Sequence, residues 1–216
     1  MTTLHLRKSI NRSRLRRGSL LIPLALGLAC FELSPSAQAV CQQGCQTNEN
    51  TVLGDDALVN NTTGIDNTAV GFNALNGNTT GQANTANGFH ALLVNTTGGG
   101  NTANGALALE SNTTGYSNTA TGVFVLQDNT TGYQNTATGE FALPSNTTGF
   151  DNTANGFEAL FSNTTGVLNT ANGAVALASN TTGSENTAEG DGALARNTTG
   201  NGNIALGFNE IGRAHV

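Results

Sequence analysis

Few residues in this chain could carry chemistry, because catalysis needs titratable side chains that converge on one site. His90 is the one histidine between the N-terminal leader and the closing residues. An imidazole there could move a proton or hold a metal, but no cysteine or second histidine stands near it in sequence. Glu110, Glu140, Glu158 and Glu185 could supply a carboxylate pair for acid–base work, yet they are scattered without a common spacing. Asp55–Asp56 could bind a cation weakly, without the Gly-Gly-x-Gly-x-Asp pattern of calcium-binding repeats. Gly98–Gly99–Gly100 has the look of a phosphate loop but no lysine follows it, so it reads as a glycine-rich corner. Cys41 and Cys45 form a C-x-x-x-C pair with no histidine beside them. That is too little for a metal site; in an oxidising compartment the pair can form a local or interchain disulfide, or stay as two thiols. Every Asn-Thr-Thr triplet is formally a glycosylation sequon. The expectation is a protein that is not an enzyme and has neither metal nor cofactor, its triplets serving as turns and ladders.

What positions these residues is a repeat. The unit Asn-Thr-Thr-Gly-x-x-Asn-Thr-Ala-x-Gly-x-x-Ala-Leu-x-x opens at Asn61 and recurs without insertion at Asn78, Asn95, Asn112, Asn129, Asn146, Asn163, Asn180 and Asn197. A degenerate copy precedes it in Asn50–Thr51, Gly54 and Ala57–Leu58. Two glycines and several Asn and Thr per unit are poor helix formers. A 17-residue unit also falls short of five helical turns, so a helical face would rotate from copy to copy. A continuous strand fails as well, since side chains alternate with period two and an odd repeat would flip equivalent residues between faces. The chain must turn inside every unit, and Gly64 and Gly71 with their equivalents are the expected corners.

Short strands between turns at constant period describe an all-β fold, a parallel β-solenoid of about ten 17-residue coils stacked about 4.7–4.8 Å apart. Equivalent residues then form ladders. Asn67, Asn84 and Asn101 begin one that can chain side-chain amides. Leu75, Leu92, Leu109, Leu126, Leu143, Leu160, Leu177 and Leu194 form the main apolar ladder, with Ala69, Ala74 and their equivalents small enough to let walls approach. One leucine and two alanines per coil return less free energy than ordering the coil costs. Association with further copies of the chain is therefore expected.

The two ends read differently. Residues 1–39 look like an export signal: Arg7, Lys8, Arg12, Arg14, Arg16 and Arg17 precede an apolar stretch from Ser19 to Phe31, and Ser36-Ala37-Gln38-Ala39 places cleavage after Ala39. The apolar stretch is shorter than the ~20 residues of a bilayer-spanning helix. Partial twin-arginine (Arg16–Arg17) and lipoprotein (Leu28–Cys30) patterns keep two other export routes open. Residues 40–49 form a short cap or linker carrying the cysteine pair, and residues 50–209 the repeat domain. Glu210–Val216 break the repeat and resemble the translation of a sequencing adapter, which implies a natural protein that continues. Removal of the leader leaves Arg196 and Arg213 against thirteen acidic residues, a net charge of −11. Without clustered Lys or Arg, neither nucleic acid nor an anionic membrane surface is an expected partner.

Asn67-Thr68-Ala69-Val70-Gly71, followed by Ala74–Leu75 and the Asn-Thr-Thr-Gly linker, resembles the head repeats of trimeric autotransporter adhesins, over about residues 48–209. The resemblance implies a left-handed parallel β-roll, three of which associate, and attachment to host matrix or cell-surface ligands from an exported protein at or beyond the bacterial outer membrane. This chain departs from that family's aliphatic residue between Ala and Gly. Val70 and Leu206 keep it, whereas Asn87, Asn104, Thr121, Thr138, Asn155, Asn172 and Glu189 do not, and the unit is longer. Two other functions compete with the adhesin reading: an ice-binding solenoid using Thr62, Thr79, Thr96 and Thr113, and a passive spacer or tail-fibre-like shaft. The candidate contacts Ile65, Tyr116, Tyr133, Phe150 and Val167 could equally be subunit contacts.

Overall fold

A computed structural model describes residues 48–211 and the backbone of 213–214. The proposed leader, its cleavage point at Ala39, and Cys41 and Cys45 lie outside the described residues. Each coil contributes one short strand: β1 (Thr51–Leu53), β2 (Thr68–Val70), β3 (Thr85–Asn87), β4 (Thr102–Asn104), β5 (Thr119–Thr121), β6 (Thr136–Thr138), β7 (Thr153–Asn155), β8 (Thr170–Asn172), β9 (Thr187–Glu189) and β10 (Asn203–Leu206). These pair in sequence order, all parallel, so that Ala69 faces Ala86, Ala86 faces Ala103, and so on to Ala205. The architecture is an all-β parallel solenoid of about nine coils, without helix among the described residues. The last strand, β11 (Arg213–Ala214), pairs antiparallel with β10 and departs from the coil pattern.

The strand is short because only Thr-Ala-x is extended; the rest of each coil is turn. Those turns are nonetheless bonded from coil to coil, as buried backbone requires. Around the coil opened by Asn129, Thr136 and Leu143 donate their N–H to carbonyls of the following coil, Asn152 and Ala159. Gln134, Gly139 and Phe141 donate theirs to the preceding coil, at Tyr116, Thr121 and Val123. A coil is therefore a ladder rung around its whole circumference, and an insertion anywhere would break register everywhere.

The core is thin and uniform. Ala69, Ala74 and Leu75 and their equivalents point inward and are buried, with Leu75, Leu92, Leu109, Leu126, Leu143, Leu160 and Leu177 fully so and Leu194 nearly so. The phase of the backbone persists through Glu210, whose carbonyl accepts the Leu194 N–H; Ile211, in the leucine register, is 87% exposed.

The corners differ from expectation. Gly71 turns with φ 131°, as do its equivalents, which suits a residue without a Cβ. Gly64 and its equivalents do not have positive φ. They are glycine because a Cβ on Gly132, for example, would run into the Asn129 Oδ1 and the Gly149 carbonyl oxygen. The remaining corners are left-handed, glycine at Gly100, Gly192 and Gly202 and other residue types elsewhere. Leu75 (φ 52°) and every equivalent leucine through Leu194 adopt this conformation, as do Asn73, His90, Phe141 and Val175. Left-handed φ costs an L-residue about 1–2 kcal/mol, and burying the leucine returns about 1.5–3 kcal/mol, so the core contact overrides the local preference.

These two kinds of corner predict opposite mutational signs. Gly132→Ala should lower stability by about 2 kcal/mol or more through overpacking and lost amide bonds. Val175→Asn removes a β-branched residue from φ 51° and should raise it by up to about 1 kcal/mol. Urea unfolding at fixed chain concentration measures both.

Candidate functional site

Inside the solenoid the dominant polar feature is a pair of asparagine ladders. In the Asn67 series, Asn84 donates both its backbone N–H (3.0 Å) and its Nδ2 (3.1 Å) to the Oδ1 of Asn67, and its Nδ2 also reaches the Gly98 carbonyl at 2.9 Å. The pattern recurs at Asn101, Asn118, Asn135, Asn152, Asn169 and Asn186. A second ladder runs through the sequon asparagines: Asn95 Nδ2 donates to Asn78 Oδ1 at 2.8 Å and to the Gly98 carbonyl at 3.0 Å. The Gly98 carbonyl thus ties the two ladders together, and its equivalents do the same in neighbouring coils. No buried side-chain nitrogen or oxygen among the described residues lacks a partner.

This geometry assigns a task to most of the repeated polar residues. The sequon asparagines from Asn78 to Asn180 are fully buried with both amide hydrogens engaged, so the folded chain offers them to no glycosyl transferase. The Thr62 series, proposed above as a water-ordering ladder, turns its hydroxyls into the scaffold. Thr79 Oγ1 donates to the Thr96 carbonyl at 2.9 Å and Thr96 Oγ1 to that of Thr113 at 3.0 Å. The Thr96 carbonyl already takes two backbone N–H groups and that of Thr113 three, so the hydroxyl completes a crowded acceptor.

Among the described titratable residues, the fold brings His90 and Glu110 together. His90 stacks on Phe89 with ring centroids 3.9 Å apart; its Nε2 lies 3.2 Å from Asn73 Nδ2 and its Nδ1 3.5 Å from Glu110 Oε1. Glu140, Glu158 and Glu185 project from different coils at different places around the circumference, and Asp55 and Asp56 are exposed. No group of three His, Cys, Asp or Glu able to hold a metal occurs among the described residues. Gly98 lies in the amide junction and Gly100 (φ 68°) in a turn, so the triple glycine is part of the coil.

Two kinds of surface remain for partners. The outward side of the sheet presents Thr85, Thr102, Thr119 and Thr136, all exposed, beside Asn87, Asn104, Thr121 and Thr138. These threonine hydroxyls bond to no other described residue. From Thr68 to Asn172 this face carries no charge, despite the acidity of the chain. On either side of the strand in chain order lie the variable residues, where aromatic rings stack along the solenoid. Tyr116–Tyr133 and Tyr133–Phe150 have centroids 4.8 and 4.7 Å apart on one flank, and Phe124–Phe141 are 4.9 Å apart on the other. Of the contacts named from sequence, Ile65 and Tyr116 are exposed, whereas Tyr133, Phe150 and Val167 are half-buried. The Asn-Thr-Thr triplets, expected to serve as turns and ladders, supply the second asparagine ladder. The sheet face is the feature sequence reasoning passed over; it was visible in Thr-Ala-Asn and Thr-Ala-Thr, read as strands with Ala inside.

No protein-family model, no curated protein and no solved structure matches the chain.

The ladders predict a specific intolerance. Asn118→Ala removes an acceptor from Asn135 and a donor from Asn101 and the Gly132 carbonyl. With each orphaned buried group costing about 1–3 kcal/mol, thermal unfolding should occur several degrees lower. Asn118→Asp replaces the donor with a carboxylate facing two carbonyl oxygens, which raises its pKa in the fold. Its penalty should exceed that of alanine at neutral pH and shrink on acidification, as the carboxyl takes up a proton and becomes a donor again. Melting curves of the three chains across pH check the order.

Proposed function

We propose that this chain is a non-enzymatic, exported surface scaffold of the adhesin type, a homo-oligomeric head or fibre that mediates attachment. The observation that carries the reading is the division of labour around the coil. The invariant Asn, Gly, Ala and Leu are consumed in the stack, while an uncharged, regularly spaced Thr/Asn face and the variable residues are left for solvent or partners. Such a surface makes many weak contacts over a long footprint, which suits an extended ligand such as extracellular matrix or a cell surface better than a small molecule held in a pocket. The head-repeat resemblance, with its trimeric assembly and outer-surface location, supports the same function. No described helix is long and apolar enough to cross a membrane.

Retention of the purified chain on immobilised matrix proteins and on cells tests the reading. The doubly substituted chain Thr119→Lys, Thr136→Lys, altered on the sheet face, should bind at least about tenfold less, while Thr114→Lys, Thr131→Lys, altered on the exposed corner, should bind as the parent does. Absence of retention by the parent, or equal retention by all three, would count against attachment through this face.

A second reading is favoured by one observation: the free threonine hydroxyls form straight, uncharged ranks about 4.7–4.8 Å apart along the solenoid, an arrangement able to order water. If the protein binds ice, the sheet face rather than the Thr62 series is responsible, and thermal hysteresis should vanish in Thr119→Lys while surviving Thr79→Val.

A further inference from the structure

The residue after each Asn-Thr-Thr-Gly turn forms one column along the solenoid, and in the coils opened by Asn78 to Asn146 it reads Gln82, Gly99, Tyr116, Tyr133, Phe150. The last three rings stack at 4.8 and 4.7 Å with planes within 5° of parallel, one ring per coil. Tyr133 is covered on both faces and is half-buried, whereas Tyr116 has a ring on one face only and is 46% exposed. Towards the open face of Tyr116 the next rung is Gly99, and Gly100 follows it in the neighbouring column. Two adjacent side chains are therefore missing from a single level. Beyond them the next side chains are Gln82 and Ala83, both exposed. Gln82 stands two coil spacings from Tyr116, roughly 9.5 Å. A flat ring placed in the empty level would lie about 4.7–4.8 Å from the Tyr116 ring, within the range of stacked aromatic pairs.

The floor of this gap is polar. Two other coils show where the backbone N–H of the column points. Val167 donates to Ser184 Oγ at 3.1 Å and Ser184 to Asn201 Oδ1 at 2.7 Å, in each case the side chain one coil further on. Gln82 stands in the same relation to Gly99, which has no side chain, and its N–H donates to no described residue. A Cβ on Gly99 would lie 3.9 Å from that nitrogen, and one on Gly100 would lie 3.6 Å from Ser117 Oγ. The Ser117 hydroxyl likewise bonds to no described residue. An aromatic wall, an amide wall and an unused donor at the base select a flat ring with an oxygen on its leading edge. The face of the ring stacks on Tyr116, its oxygen accepts from the Gln82 N–H, and a hydroxyl hydrogen can pass to Ser117 Oγ. The acidity of the chain, net −6, favours a neutral ring over a carboxylate. We propose that the Gly99–Gly100 gap is a binding site for one phenol ring, which enters edge-on from solvent with its hydroxyl leading and completes the interrupted ladder. The site lies on the flank, apart from the Thr/Asn sheet face, and does not depend on attachment through that face.

The test is a titration of p-cresol into the isotope-labelled full chain, followed through the backbone amides by NMR. Saturable shifts should be confined to Gln82, Gly99, Gly100, Tyr116 and Ser117, with a Kd in the millimolar range or tighter, as so few non-hydrogen atoms allow. Gly99→Tyr supplies the missing rung from within the chain, in the place Tyr116 takes one coil further on, and should abolish these shifts. Tyr116→Leu removes the stacking face and should weaken binding about three- to tenfold. The probe 4-methylcyclohexanol, which keeps the hydroxyl but has no flat face, should be weakened to a similar degree. Circular dichroism and unchanged amide shifts in the coils after Asn146 confirm the fold of each variant; should Gly99→Tyr not fold, Tyr116→Leu and the two probes carry the test. Absence of saturable shifts at these residues, shifts spread equally over all coils, undiminished binding by folded Gly99→Tyr, or equal binding of the two probes would overturn the site.

Discussion

A buried primary amide has two hydrogens to donate and an oxygen to satisfy, and this fold buries such amides at Asn67, Asn78 and their equivalents throughout the stack. Each can be satisfied only if the next coil presents an identical group at the strand spacing, about 4.7–4.8 Å away. That requirement explains the strictness of the repeat. A coil one residue longer would move its asparagine off the ladder, leaving an acceptor below and donors above without partners, each at about 1–3 kcal/mol. It also explains the Gly64 series, whose carbonyl takes an amide from each ladder and whose Cβ, if present, would occupy the space those amides use. Asparagine is the side chain that combines this reach with both a donor and an acceptor. Aspartate has no donor when ionised, and glutamine carries an extra methylene into a close-packed site.

The ladders do what a large apolar core does elsewhere. Ala69, Ala74 and Leu75 make a narrow hydrophobic column, and a column that thin leaves room for polar groups only if they bond fully. The leucine column is held even at the cost of left-handed backbone, so local strain is distributed over every coil rather than stored at one site. Because each coil contacts only its neighbours, the stack behaves as a one-dimensional system in which central coils are supported twice and outer coils once. Function is then free to vary at the surface. Thr85 or Tyr116 can change without touching a ladder, whereas Asn118 and Gly132 cannot.

Much of this was legible in the residue pattern. The odd period demanded turns, and the invariance of Asn67 and Leu75 marked ladders. Other features were not, for physical reasons. A conserved glycine looks the same whether it supplies positive φ, as Gly71 does, or space, as Gly64 does; only the neighbouring coil distinguishes them. Left-handed φ at Leu75, Phe141 and Val175 has no sequence signature, because tertiary burial and coil closure impose it on residues that disfavour it. The direction of a threonine hydroxyl is equally silent: Thr79 points into the scaffold and Thr85 out of it, although both follow an asparagine.

Side-chain amide exchange tests the ladder directly. In an NMR spectrum of the deuterated-solvent-exchanged protein, the NH₂ groups of Asn84, Asn101, Asn118, Asn135 and Asn152 should persist as slowly exchanging, well-dispersed pairs, protected alongside the backbone amides of the same coils. Those of the exposed Asn87 and Asn155 should be lost at once. Rapid loss of the ladder amides from a chain whose backbone amides remain protected would contradict a core held together by asparagine.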